Sequence, residues 1–155
     1  MTLMQELMNQ ASTGSLLQAN FIRRFSPQEI REAIQNLVAT EQFELANELA
    51  DAGLSLYPNS EDILAIAGLL AMMNQDWPMA VELLDELMAI QGTTAPAFTF
   101  VMMVRALRCN LDPARALEVA NRGLSLYPQQ VELVAEKLSL AEYQESTFVS
   151  VDRQH

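Results

Sequence analysis

The chain has 155 residues, half of them hydrophobic, with 20 acidic and 9 basic side chains and a formal net charge of −11. That length and apolar content suit a single folded domain rather than a disordered chain, and so few basic residues argue against binding a nucleic-acid backbone. A lone cysteine, Cys109, gives no disulfide framework; no apolar run is long enough to span a membrane, and Met1–Glu6 lacks a basic leader region, so a cytoplasmic protein is expected.

Along the chain, Leu3, Met4, Leu7 and Met8 form a short apolar stripe, broken at Ala11-Ser-Thr-Gly14, and Leu16, Leu17, Phe21 and Ile22 form a second. Residues 1–26 are therefore expected to be a helical segment that caps the front of the fold or pairs with a second copy. Ser26-Pro27-Gln28-Glu29 is a capping box with proline in the first turn, and it predicts a helix over 28–39. A second helix is expected over 43–56. Asn59-Ser60-Glu61-Asp62 then supplies a cap and early acids for a helix over 61–73. Asp76-Trp77-Pro78 opens the next, over 78–90, with either Asp76 or Trp77 at the boundary. After the turn-forming Gln91-Gly-Thr-Thr-Ala-Pro96, helices are expected over 96–108 and, behind Asp112-Pro113, over 113–126. A seventh helix, 130–144, is expected to cap the open end with Glu132, Glu136, Lys137 and Glu142, followed by a polar, mobile tail over 146–155.

Comparison of the chain with itself reveals a repeat. Gly53-Leu-Ser-Leu-Tyr-Pro58 recurs as Gly123-Leu-Ser-Leu-Tyr-Pro128, seventy positions on, and a third copy fits between them. Unit starts at Pro27, Glu61 and Ala97 place Ala46, Ala80 and Ala116 at the same register, where two helices must approach closely. Spacings of 34 and 36 residues, each reading helix–turn–helix, are those of a tetratricopeptide array. The array spans 27–145, as repeats 27–60, 61–96 and 97–130 with the cap helix behind them.

In that geometry positions two, five, six, nine, twelve and thirteen of each unit's first helix point into a concave groove. They include Ile66, Leu69, Met72 and Met73 in the second unit and Phe98, Val101, Met102, Arg105, Arg108 and Cys109 in the third. A contiguous apolar patch of this kind marks a binding surface, and methionine adapts to varied apolar anchors. Packing against neighbouring helices is the competing role, at even odds for Ile66 and Val101. Arg105 and Arg108 rim the patch, where they could hold a partner's carboxylate; pairing with nearby acids is the commoner role for any one arginine.

Chemistry is absent from the pattern. The single histidine is His155, no base accompanies a Ser or Cys, and neither a metal-ligand spacing nor a phosphate loop is present. No enzyme, metal or cofactor is expected, and a small-residue packing role is expected for Cys109.

On the alanine lattice and the Pro58 and Pro128 endings, Pro27 to Pro128 resembles three tetratricopeptide repeats, a protein-interaction family. The resemblance implies an all-α fold of three helix hairpins in a right-handed superhelix, with amino-terminal helices and a carboxyl-terminal capping helix. In its small size, acidity and three repeats, and in Ala95-Pro96-Ala97-Phe98 opening a helix after a longer turn, the chain is also similar to the class II chaperones of bacterial type III secretion. That similarity implies a homodimer joined through Leu3, Met4, Leu7, Leu16, Leu17 and Phe21, bacterial cytoplasm, and a groove for a segment of an exported, translocator-like protein. A structural scaffold or assembly subunit is the alternative. The branch that clamps acidic carboxyl-terminal peptides of heat-shock proteins would want other residues at Arg31, Gln35, Phe98 and Met102, so that ligand is not expected.

Overall fold

A computed structural model of the chain describes residues 22–153, with side chains to residue 142. The expectations for Leu3, Met4, Leu7, Leu16, Leu17 and Phe21 concern residues outside that range. Among the described residues there are seven α-helices, one 3-10 turn and no strand: α1 (Pro27–Ala39), α2 (Phe43–Leu56), α3 (Glu61–Met73), α4 (Trp77–Gln91), the turn Gly92–Thr94, α5 (Ala97–Cys109), α6 (Pro113–Leu126) and α7 (Val131–Arg153). Two compact units divide after Gln75, in the turn expected between the two helices of the second repeat.

Local chemistry starts four of the helices near where the sequence places them. Ser26 accepts from the Glu29 amide at 3.2 Å while the Glu29 carboxylate accepts from the Ser26 amide at 3.1 Å, completing the capping box. Ser60, Asp76 and Asp112 each cap a helix by accepting from the amide three residues on, with Pro78 and Pro113 in the first turns. Asp76, not Trp77, is the boundary of α4. The turns between paired helices share a feature the composition does not announce. Glu41, Gln75 and Leu111 all have positive φ (62°, 59° and 61°), each fifteen residues into its repeat. At the ends of α1 and α5 these residues close Schellman turns, with Gln42 N–H on the Leu37 carbonyl and Asp112 N–H on the Leu107 carbonyl.

In the first unit, α1 and α2 form a hairpin and α3 packs on both. Ile30, Ile34, Leu37, Leu49, Ile63 and Leu64 are the fully buried core, joined by Ile22 ahead of α1. The second unit repeats the arrangement: α5 and α6 form the hairpin, α7 packs on both, and α4 lies against α5. The duplicated hexapeptide explains the likeness. Tyr57 donates its hydroxyl to the Phe25 carbonyl and Tyr127 donates its own to the Ala95 carbonyl, both at 2.7 Å. Each tyrosine thereby ties the end of a repeat's second helix to the strand of chain entering its first. Ala46, Ala80 and Ala116 are wholly buried, as close helix approach demands.

The glycines of the hexapeptide mark the tightest contacts. A Cβ on Gly53 would come within 3.2 Å of Ile63 Cδ1, a mobile side-chain end, whereas on Gly123 it would meet Leu133 at 2.9 Å and the Phe100 Cβ and Cγ at 3.0 Å. The Phe100 Cβ moves only with the backbone, so Gly123→Ala is overpacked. The strain, about 1–3 kcal/mol, outweighs the roughly 1 kcal/mol of helix propensity that alanine returns. Urea unfolding should show Gly123→Ala destabilised by up to about 2 kcal/mol and Gly53→Ala near neutral. Equal effects at the two positions would refute this contrast.

The seventh helix departs from expectation twice. It does not end near Gln144 ahead of a loose tail but continues to Arg153. It also does not turn all its polar residues outward: Glu136 is buried, and the outer face shows Val131, Val134 and Leu138, at 77%, 39% and 61% exposure. The cause is register. The face that meets α5 and α6 carries Leu133, Glu136 and Leu140, spaced three and four apart.

Candidate functional site

The expected groove residues divide according to how their own unit packs. On α3, Leu69 and Met72 are half-buried and Met73 is 46% exposed, while Ile66 is at 4%. On α5, Phe98 is 59% exposed, while Val101 and Met102 are buried at 0% and 5%. Ile66, Val101 and Met102 thus belong to the core instead of an open surface, a correction to the sequence expectation. The physical reason is crowding. α3 is packed by α1 and α2, and α5 by α4, α6 and α7, so little of a central first helix stays free. Met73 is the last residue of α3 and Phe98 the second of α5, and both stay exposed.

Arg105 and Arg108 are exposed but engaged. Arg105 Nε donates to Glu136 Oε1 at 3.1 Å, and Arg108 Nη1 lies 3.0 Å from Oε2. The second contact is an ion pair without hydrogen-bond alignment, since Oε2 has no hydrogen-bond partner. The Glu136 side chain is 8% exposed, against 45% and 42% for the two arginines. A buried carboxylate needs compensation of this kind, and the chain's own last helix takes the place foreseen for a partner's acid. Arg31 is likewise tied, to Asp62, within the first unit. Within each unit these pairs tie successive first helices together, α1 to α3 and α5 to α7.

Cys109 is exposed at the end of α5, so the packing role expected for it is not the one it has. A polar cavity of about 300 Å³ opens between α4 and α6 over Met103, beside the Arg115–Asp85 ion pair. Sequence reading had no signal for it, because it needs two helices of different repeats side by side. Among the described residues no three His, Cys, Asp or Glu side chains gather as metal ligands, and no helix is long and apolar enough to cross a membrane.

No family model and no curated protein matches the sequence. Solved structures do match in fold. A MamA RS-1 double mutant covers 97% of this chain and 88% of its own at 13% identity, with a TM-score of 0.71. The first tetratricopeptide domain of Spaghetti (RPAP3), bound to the HSP90 peptide SRMEEVD, covers 77% of this chain and 93% of its own at 12% identity and a TM-score of 0.69. YrrB, a tetratricopeptide protein with an unusual peptide-binding site, covers 72% and 57% at 16% identity and 0.64. At such identities the likeness concerns the fold, which is a tetratricopeptide-like helical repeat.

Proposed function

We propose that the chain is a protein-interaction module that holds a partner segment on the first helices of its repeats through apolar anchors, and that its role is that of a type III secretion chaperone for exported, translocator-like proteins. The observation that carries this reading is the exposure of Met73 and Phe98, two large apolar side chains at groove positions where solvation alone would favour polar ones. Leu69 and Met72, half-buried beside Met73, extend the apolar strip on α3. Peptide binding by the fold neighbours Spaghetti and YrrB supports the general mode. The acidic peptide held by the first does not transfer, because Arg31 is tied to Asp62, and Phe98 and Met102 stand where basic groups would be needed.

Each apolar anchor buried on binding contributes about 1.5–3 kcal/mol, against an association cost of at least about 4 kcal/mol. Two or three anchors then give a modest affinity that one charge can erase. Met73→Glu and Phe98→Asp are each expected to abolish capture of the partner segment in calorimetric titration while circular dichroism stays unchanged. Unaltered affinity in both variants would refute the reading. An assembly subunit is the second reading, favoured by the apolar outer face of α7. It predicts a chain that aggregates when purified alone.

A further inference from the structure

The two ends of the array are finished differently. In α1 the positions that meet a preceding repeat in later units are Glu29, Glu32 and Asn36, all exposed and polar. The equivalents in α3 and α5 are Ile63, Ile66 and Leu70, and Thr99, Met102 and Ala106, all buried. At the other end the logic is not applied. Positions four, eight and eleven are buried in α1 (Ile30, Ile34, Leu37) and in α5 (Phe100, Val104, Leu107), where the second helix of the hairpin covers them. In α7 the same register holds Val134, Leu138 and Ala141, and all three are exposed, with Val131 beside them. The last described helix thus has the stripe of a first helix and, among the described residues, no second helix upon it. Nor does α7 end where a hairpin would turn: α1, α3 and α5 stop after 13 residues, whereas α7 continues for 23.

We infer that this stripe is the dimer interface, and that its occupant is α7 of a second copy laid parallel to it. Over Val131 to Glu142 the pattern is self-complementary, and it ends at Glu145, the next a position. Val131, Val134, Leu138 and Ala141 fall at alternating spacings of three and four, the a and d positions of a coiled-coil seam. Lys137 and Glu142 then occupy the flanking g and e positions, five residues apart, so that each Lys137 meets Glu142 of the second copy and the reverse. The core-facing residues Leu133, Glu136 and Leu140 lie roughly 150° around the helix from the stripe at 3.6 residues per turn. In each copy α5 and α6 therefore lie on the side of α7 away from the seam. This interface takes the place of the amino-terminal one that the family resemblance implies, and it does not depend on the partner-binding surface of α3 and α5.

Sedimentation of the full chain across the micromolar range tests it. The expected result is a species of twice the 17.3 kDa chain mass. Leu138→Glu should convert it to monomer with unchanged circular dichroism, because Leu138 is already exposed in the single chain, and the concentration dependence of melting should vanish. Lys137→Glu should weaken the dimer severalfold, and Lys137→Glu/Glu142→Lys should restore it, a readout that survives even if Leu138→Glu fails to fold. A monomer at every concentration overturns the proposal. So does a dimer that ignores these substitutions and dissociates instead in Leu7→Glu/Leu17→Glu, which would assign the contact to the amino-terminal stripe.

Discussion

Replacing Arg105 and Arg108 together by alanine should destabilise the protein by about 2–4 kcal/mol in urea unfolding. The loss comes from what remains behind. Glu136 is enclosed with Leu133 and Leu140, which are 0% and 1% exposed, and without its two guanidinium partners it is a carboxylate out of water. A fully buried pair broken in this way costs about 3–5 kcal/mol. The lower figure reflects arginines that are nearly half exposed and an environment that water can partly enter. Either single variant should cost less, since one arginine still neutralises the acid. The discriminating measurement adds Glu136→Leu to the double variant: most of the stability should return, because well-packed apolar groups replace buried ion pairs at little cost. A neutral double variant would mean that the triad is only a surface ornament.

Phe100→Ala should be the most damaging single truncation in the second unit, at about 3–5 kcal/mol. Phe100 is 2% exposed, touches the bare face of Gly123, and meets Tyr127 edge-on, with centroids 6.3 Å apart and ring planes at 60°. Truncation removes the ring's burial, leaves a cavity, and loosens the tyrosine that ties α6 to Ala95. Phe100→Leu should be milder, and Leu133→Val, which removes the Cδ1 atom nearest the added methyl, should relieve part of the strain of Gly123→Ala. A double-mutant cycle would read that coupling as a favourable interaction energy of about 0.5 kcal/mol or more. Strict additivity would show that the glycine is needed for some other reason.

Much of this fold was legible because its signals are local. Ser26, Ser60, Asp76 and Asp112 start helices through their own backbone neighbours, and the duplicated hexapeptide fixes the repeat with no knowledge of the third dimension. What escaped depends on which face a neighbour covers. Glu136 reads as a solvent-facing cap residue by polarity alone, yet it stands at the sixth position of a fourth unit, where Ile66 and Met102 are also buried. Extending the repeat register to Val131 places Glu136 at a position read as groove-facing, so only the packing reveals its burial. Val101 and Met102 were assigned to the groove by helical geometry, which cannot count the helices packed around α5. The positive-φ turn residues were invisible for a different reason. That backbone conformation favours glycine, and Glu41, Gln75 and Leu111 give no compositional hint of it.

The middle repeat lacks the tyrosine clasp. Gln91 stands where Tyr57 and Tyr127 stand in the outer repeats, its buried Oε1 has no hydrogen-bond partner, and the chain then loops through the exposed residues Gly92, Thr93 and Thr94 before α5. Doubling the length of a flexible connection costs only about 0.6 kcal/mol in closure entropy. The molecule therefore has a built-in splice point between α4 and α5, where a foreign sequence could be threaded in, or new chain ends opened, while both flanking helices keep their own contacts.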